Sequence, residues 1–263
     1  RITSCIFIKK ACERYINDLK RIKEDKDCPF YFRPEKSEKY LRLVQQFSHV
    51  IGKWKTPNII YEPWQNFAFS CIMGFYSHYS NERRFRTAYV EISRGNGKSL
   101  LASQMALYFL ALDNVIGNQI ACIATRRDQA RIVLDSARAM AKVNKSFLKH
   151  TGVKVLAHQI THEKSNSHLR ALSSDSSGLD GQNLCLAVCD ELHAMQRKTF
   201  EVIESGMSKR NDSLMLCITT AGYNVEGVGH AQSSYAKKVG VGEGEDDTVF
   251  SLVDTIDKDD DPM

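Results

Sequence analysis

The sequence has no apolar run long enough to cross a membrane as a helix. Its longest candidate, residues 100–112, is interrupted by Ser103, Gln104 and Tyr108, whereas a span needs about 20 apolar residues. No signal-peptide pattern stands at the start, and no internal repeat or low-complexity tract precedes the acidic end. The eight cysteines contain no C-x-x-C pair, which excludes the commonest zinc and thiol-redox frameworks. Cys122, Cys185, Cys189 and Cys217 fall in runs that read as buried strands, so they are expected as reduced core thiols of an intracellular protein. The chain opens on Arg1 rather than Met and is expected to be part of a longer protein. Hydrophobic content of 43% and charged content of 25% over 263 residues are ordinary for a globular chain, with room for one large domain and appendages.

Charge is unevenly placed. Residues 243–263 hold nine acids and one base, Lys258, so with a net charge of +5 for the whole chain the other residues carry +13. A basic body of that kind suits a polyanionic partner, nucleic acid above all, although a solvated mixed surface would look the same by count.

Along residues 7–25, Ile8, Cys12, Tyr15, Leu19 and Ile22 recur at helical spacing, which predicts an amphipathic helix. Residues 37–51 read as a second, after the proline-marked connector DCPFYFRPE. From Thr87 short apolar runs alternate with longer helical ones. TAYVEIS, QIACIAT, LCLAVCD and SLMLCITT read as strands; residues 98–112, 128–143 and 195–207 read as helices, and 153–172 as a hairpin. Continuously apolar strands separated by helices predict a mainly parallel sheet covered on both faces, an α/β fold.

Chemistry concentrates in EISRGNGKSL. A phosphate loop needs backbone N–H groups at a strand-to-helix turn, glycines that let the backbone come close, a lysine for the β and γ phosphates and a Ser or Thr for Mg²⁺. Gly97, Lys98 and Ser99 supply the last three in register, and Gly95 adds freedom. The first glycine of the usual spacing would fall at Ile92, where the standard pattern fails. The tripeptide nevertheless follows a strand and opens a long helix, as such a loop must.

A second acidic element is LCLAVCDELH, which sets Asp190 and Glu191 at the carboxyl end of an apolar strand, where open parallel sheets bind ligands. Asp190 would hold Mg²⁺ through water and Glu191 would polarise the attacking water. Helix capping is the plainer role for such a pair. The lysine and both acids are expected to converge on one triphosphate across adjoining strand ends.

With these residues in place the chain resembles the ATPase domain of tailed-phage large terminase subunits, which package DNA into capsids. Ordered matches run through YEPWQNF, SRGNGKS, ATRRDQA, SSGLDGQN with LAVCDELH, and TTAG. The resemblance implies a P-loop NTPase fold of the ASCE type with an N-terminal helical appendage. It divides the chain into a helical segment at 1–56, an ATPase domain at 57–242 and an acidic linker at 243–263 toward a nuclease domain. It implies ATP and Mg²⁺ bound over Ser93, Arg94, Gly95, Asn96, Gly97, Lys98 and Ser99, with Mg²⁺ on Ser99 and Asp190. Catalysis would fall to Glu191, Lys98 and Arg94. Gln65 would read adenine with Tyr61 or Trp64 over the ring, and Thr219 and Thr220 would couple γ-phosphate loss to movement. Core packing for the aromatics, a carboxylate pair for Arg94 and turn capping for the threonines are the bland counterparts. The implied partners are double-stranded DNA, the capsid portal, the small terminase subunit and further copies in a ring, in the host cytoplasm and with no membrane. A trans-acting arginine would come from among Arg83, Arg84, Arg86, Arg126, Arg127 and Arg170.

DELH also resembles the D-E-x-H box of helicases, the alternative function, but only about forty residues follow TTAG, too few for a second RecA-like domain. A nucleotide-binding module without turnover is a third reading. His158, His162 and His168 lack the H-E-x-x-H spacing of a helical metal site, and SSDSSGLDG lacks the hydrolase elbow.

Overall fold

The computed structural model describes residues 4–173, 181–222 and 227–257. Helices α1 (Ile6–Glu24) and α2 (Pro34–Val44) flank a short strand β1 (Phe30–Phe32), and α3 (Pro63–Gly74) runs into β2 (Phe75–Ser77), which pairs antiparallel with β1. Next come β3 (Thr87–Glu91), α4 (Lys98–Ala111), β4 (Gln119–Ala124), α5 (Arg127–Val143) and α6 (Lys145–Thr151). They are followed by β5 (Lys154–Val155), β6 (Gln159–His162), β7 (Ser167–Ser173) and β8 (Leu184–Asp190). Then follow α7 (Arg197–Ser208), β9 (Leu214–Thr219), α8 (Val228–Val241) and β10 (Val249–Val253).

Eight strands form one sheet in the order β10–β3–β9–β8–β4–β7–β6–β5. The run from β10 to β7 is parallel, and β6 and β5 continue it antiparallel. Residues 153–172, expected as a hairpin, thus form most of a three-strand meander whose last strand docks parallel on β4. β3 and β8 do not adjoin as expected: β9 lies between them. The helix expected at 37–51 begins earlier, because Pro34 suits a first helical turn, and ends at Val44.

Side-chain alternation along each strand splits the apolar interior in two. Val188, Leu216 and Ile218 point into a core shared with α2, α3, α4 and α5, while Ala187, Cys189, Met215 and Cys217 point into one shared with α7 and α8. α4 is apolar on all sides because it is enclosed: residues 101–110 are all buried, between the sheet, α2 and α5. The four strand cysteines are buried thiols.

The acidic end departs from the linker reading. Val249, Phe250, Leu252 and Val253 are buried in β10, an edge strand hydrogen-bonded to β3. Five apolar-rich residues suffice for a strand, and the acids before it have partners: Asp246 accepts from Tyr235 at 2.5 Å and Asp247 pairs with Arg84 at 2.5 Å. Residues 258–261 lie outside the described residues. The N-terminal helix is tied to this strand, with Arg14 donating to the Val249 carbonyl at 2.8 Å and the Cys5 thiol to that of Val253 at 3.3 Å. Tyr40, Val44 and Phe47 share the core of α3 and α4, so the apolar interior is continuous across residue 56.

Candidate active site

The Glu91 end of β3 leads directly into the loop. The amide of Ile92 still bonds to the Thr219 carbonyl at 3.1 Å, and Ile92 is 4% exposed. Its position therefore continues the buried strand and has no need of glycine's backbone freedom. The turn itself falls at Gly95 (φ +86°) and Gly97 (φ +74°), left-handed conformations that glycine adopts without cost. A Cβ at Gly95 would meet nothing within 4 Å, so this stretch of backbone stands open. Gly97 caps α4, accepting from Leu101 N at 2.9 Å, and Ser99 lies in the first turn. Asn96 braces the loop by donating to Ser93 Oγ at 2.7 Å.

Lys98 curls back over the loop, its ammonium donating to the carbonyls of Ile92 (3.1 Å) and Ser93 (2.8 Å). Burial pulls the ammonium below its ordinary range, the charges of Asp190 and Glu191 oppose that, and Arg94 adds to it. Lys98 therefore lies within reach of the charges of both acids and of Arg94 at the carboxyl edge of the sheet. Arg94 is exposed and, among the described residues, makes no ion pair.

Asp190 ends β8 and accepts the Glu191 N–H at 3.0 Å. Burial, reinforced by the Glu191 charge, pushes its carboxyl up to about 6 against the pull of that N–H, Lys98 and His193. Glu191 sits in the left-handed region (φ +56°), which is uncommon for a non-glycine residue and costs of order 1 kcal/mol. Its side chain makes no capping bond to the one-turn 3₁₀ helix Leu192–Ala194 that it precedes. Instead its Oε2 lies 3.1 Å from His193 Nε2. The other ring nitrogen, Nδ1, is 3.2 Å from Thr219 Oγ1, and that hydroxyl donates to the Thr220 carbonyl at 3.0 Å. Because β9 lies between β3 and β8, Thr219 stands between the phosphate loop and the acidic pair.

Two expectations change. Tyr61 is 4% exposed and its hydroxyl donates to buried Gln104 at 3.0 Å, so its ring is core and has no face free for a base. Trp64 is half-buried against the same core. Gln65 stands close to the loop, its Nε2 4.0 Å from where a Gly97 Cβ would be, but its carbonyl oxygen accepts the Glu62 N–H at 2.9 Å in a capping box. Among the described residues its amide thus has a free donor end rather than both ends. Residues 176–180 of SSGLDGQN lie outside the described residues.

Sequence reasoning missed His193, although it stands inside the quoted DELH. It also missed Glu91, a carboxylate 4% exposed that accepts from Tyr89 (2.6 Å) and Ser233 (2.8 Å) and pairs with Lys237 at 3.3 Å. An acid at the end of an apolar strand beside the loop was its signal. A cavity of about 90 Å³ lies between Glu91, His193, Thr219, Gly222 and Lys237.

Residues 63–238, more than half of the chain, match the family described as terminase large subunit, ATPase domain. No curated protein matches the chain. Among solved structures, the large terminase of bacteriophage HK97 superposes with a TM-score of 0.72 at 21% identity, covering 86% of this chain and 45% of that one. The ATPase domain of the Thermus phage P74-26 large terminase gives 0.43 at 22% identity, covering 55% and 63%. The UvsW helicase from bacteriophage T4 gives 0.45 at 14%, covering 70% and 59%. The HK97 likeness shows the fold alone, and the chain spans less than half of that protein's length. The other two superpose too loosely to bear on function.

Proposed function

This chain belongs to the terminase large subunit ATPase domain family, and from that premise we propose that it hydrolyses ATP to drive double-stranded DNA into a capsid. What supports the reading is the placement of the phosphate loop with Lys98 after β3 and of Asp190 and Glu191 after β8 at the same carboxyl edge of the parallel sheet, with β9 between them. The triphosphate would lie along the open backbone from Ser93 to Ser99. Mg²⁺ fits a donor set of the Ser99 hydroxyl and the Asp190 carboxylate, hard oxygen ligands of the kind it takes, and would neutralise phosphate charge there.

Glu191 would orient a water and accept its proton as the water oxygen attacks the γ-phosphorus in line. The bond from that phosphorus to the ADP oxygen breaks, and Lys98 and Arg94 offset the charge that develops. The free donor of Gln65 suits an acceptor on the base or the loop. Thr219 and Thr220 would pass the loss of phosphate onward.

Among the trans-acting arginine candidates, Arg83, Arg84 and Arg86 are engaged away from this edge. Arg83 pairs with Asp113, Arg84 with Asp18 and Asp247, and Arg86 with the Arg210 and Asn211 carbonyls. Arg126 and Arg127, exposed just beyond the carboxyl end of β4, suit the role better. A translocase must pass every sequence, so DNA contact would be to phosphates and weaken steeply with salt. Portal, small subunit and a ring of copies would be the partners, and any nuclease activity would belong to a further domain.

Turnover assays on wild type and Glu191→Gln, with single-stranded and duplex DNA compared, test this reading. We expect Glu191→Gln to lower kcat by roughly 10²–10⁴-fold, the range for a lost general base, with ATP still bound. Strand separation with a single-strand preference would favour the helicase alternative. Tight ATP binding by wild type with no turnover under any condition would favour a switch module. Metal-dependent DNA cleavage by this chain would overturn the assignment of nuclease activity elsewhere.

A further inference from the structure

We propose that His193 is a positioning residue that joins the carboxylate of Glu191 to the hydroxyl of Thr219, so that movement at the end of β9 reaches the water-activating group through one imidazole ring. This rests on the reading of Glu191 as that group. The contacts are 3.1 Å from Nε2 to Glu191 and 3.2 Å from Nδ1 to Thr219.

The Glu191 carboxylate can only accept, so the ring meets it through Nε2–H. Nδ1 and the Thr220 carbonyl share the one Thr219 hydroxyl. If that hydroxyl turned away to meet a γ-phosphate, Nδ1 would lose its partner and the ring would be held from one side only. Glu191 would then be free to leave His193.

The base of the ring cannot follow such a change passively. A Cβ at Gly222 would lie 2.3 Å from His193 Cβ, and one at Gly229 would lie 2.3 Å from His193 Cα. The loop after β9 and the start of α8 therefore press directly on this residue. α8 is in turn anchored to the strand that feeds the phosphate loop, through Ser233 and Lys237 on Glu91. His193 thus stands where the acidic pair, the hydroxyl strand and α8 meet.

The test uses two substitutions that each keep half of the link. In His193→Gln the amide nitrogen falls near Nε2 and can serve Glu191, and in His193→Asn it falls near Nδ1 and can serve Thr219. We expect each to lower kcat at least tenfold with KM for ATP within about twofold. Thr219→Val should reproduce that loss, and His193→Asn combined with Thr219→Val should be no slower than the slower single variant. Wild-type kcat in both His193 variants, or losses that multiply in the double variant, would overturn the proposal. Glu191→Gln separates the two levels: wild-type turnover there removes Glu191 as the water-activating group, and with it the premise of this proposal, whereas an inactive Glu191→Gln beside fully active His193 variants removes only the role of His193. A second readout needs no turnover. Imidazole ¹⁵N resonances of His193, recorded in the whole chain, should shift on saturation with magnesium–AMP-PNP. Resonances unmoved by the nucleotide would overturn the proposal as well.

Discussion

Gly229, in the first turn of α8, lies so close to His193 that a Cβ there would sit 2.3 Å from the His193 Cα and 2.8 Å from its amide nitrogen. Both of those atoms are backbone, so no side-chain rotation can relieve the contact. Gly229→Ala must push α8 away from the 3₁₀ turn after Glu191, at a cost of about 1–3 kcal/mol for overpacking. Urea unfolding of this variant should show that loss together with reduced ATP turnover. A substitution at Gly181, where a Cβ meets nothing within 4 Å, should lose only the backbone term of about 1 kcal/mol.

Arg94 separates chemistry from stability. It is exposed, unpaired among the described residues, and near enough for its charge to bear on Lys98. Arg94→Ala should leave the unfolding midpoint within error while kcat falls by roughly 10³-fold, the low end for an arginine that stabilises phosphoryl charge. An unchanged kcat would remove Arg94 from the reaction.

Arg84 presents the opposite case. Its guanidinium donates to Asp18 at 2.7 Å and to the Asp247 carboxylate at 2.5 Å, and lies 3.5 Å from the centre of the Phe30 ring. It thereby bolts α1 and the approach to β10 together. Arg84→Leu leaves the Asp18 carboxylate with Arg14 alone, at 4.0 Å, and should cost about 3 kcal/mol, the lower figure for breaking a buried pair because Arg14 remains and Asp247 is half-exposed. Chemical denaturation of this variant is the measurement.

Asp212 carries a pH signature. Burial raises its carboxyl, but the bond to Arg210 at 2.6 Å and the nearby charge of Arg83 outweigh that and hold it below the usual carboxylate range. A depressed folded value means stability that is fully present above the unfolded value, about 3.9, and is lost as pH falls through the folded one. The stability difference between wild type and Asp212→Asn, read by urea titration, should be constant from pH 5 to 8 and shrink below about pH 4. A difference that grows on acidification would mean the ion pair does not set this carboxyl.

The elements that carry the candidate site were legible in the sequence where their structure is local. Gly97-Lys98-Ser99 after an apolar strand needs a tight turn and a helix start, and both are adjacent in the chain. LCLAVCD ends at Asp190 in the structure as it does on the page. Tyr61 and Gln65 were harder, because whether an aromatic ring faces a ligand or a core, and which end of an amide is already bonded, depend on Gln104 and Glu62. β10 was hidden because its apolar residues are set among acids whose partners, Tyr235 and Arg84, are found only by folding.

The sequence by itself determined which side chains stand at strand ends and helix starts, since hydrophobic periodicity and turn geometry act over a few neighbouring residues. Only the tertiary structure decided that β9 separates the phosphate loop from the acidic pair, and so that His193 can touch both Glu191 and Thr219. Strand order is set by hydrogen bonds and packing between segments as far apart in the chain as Thr87 and Val249, which no local pattern encodes.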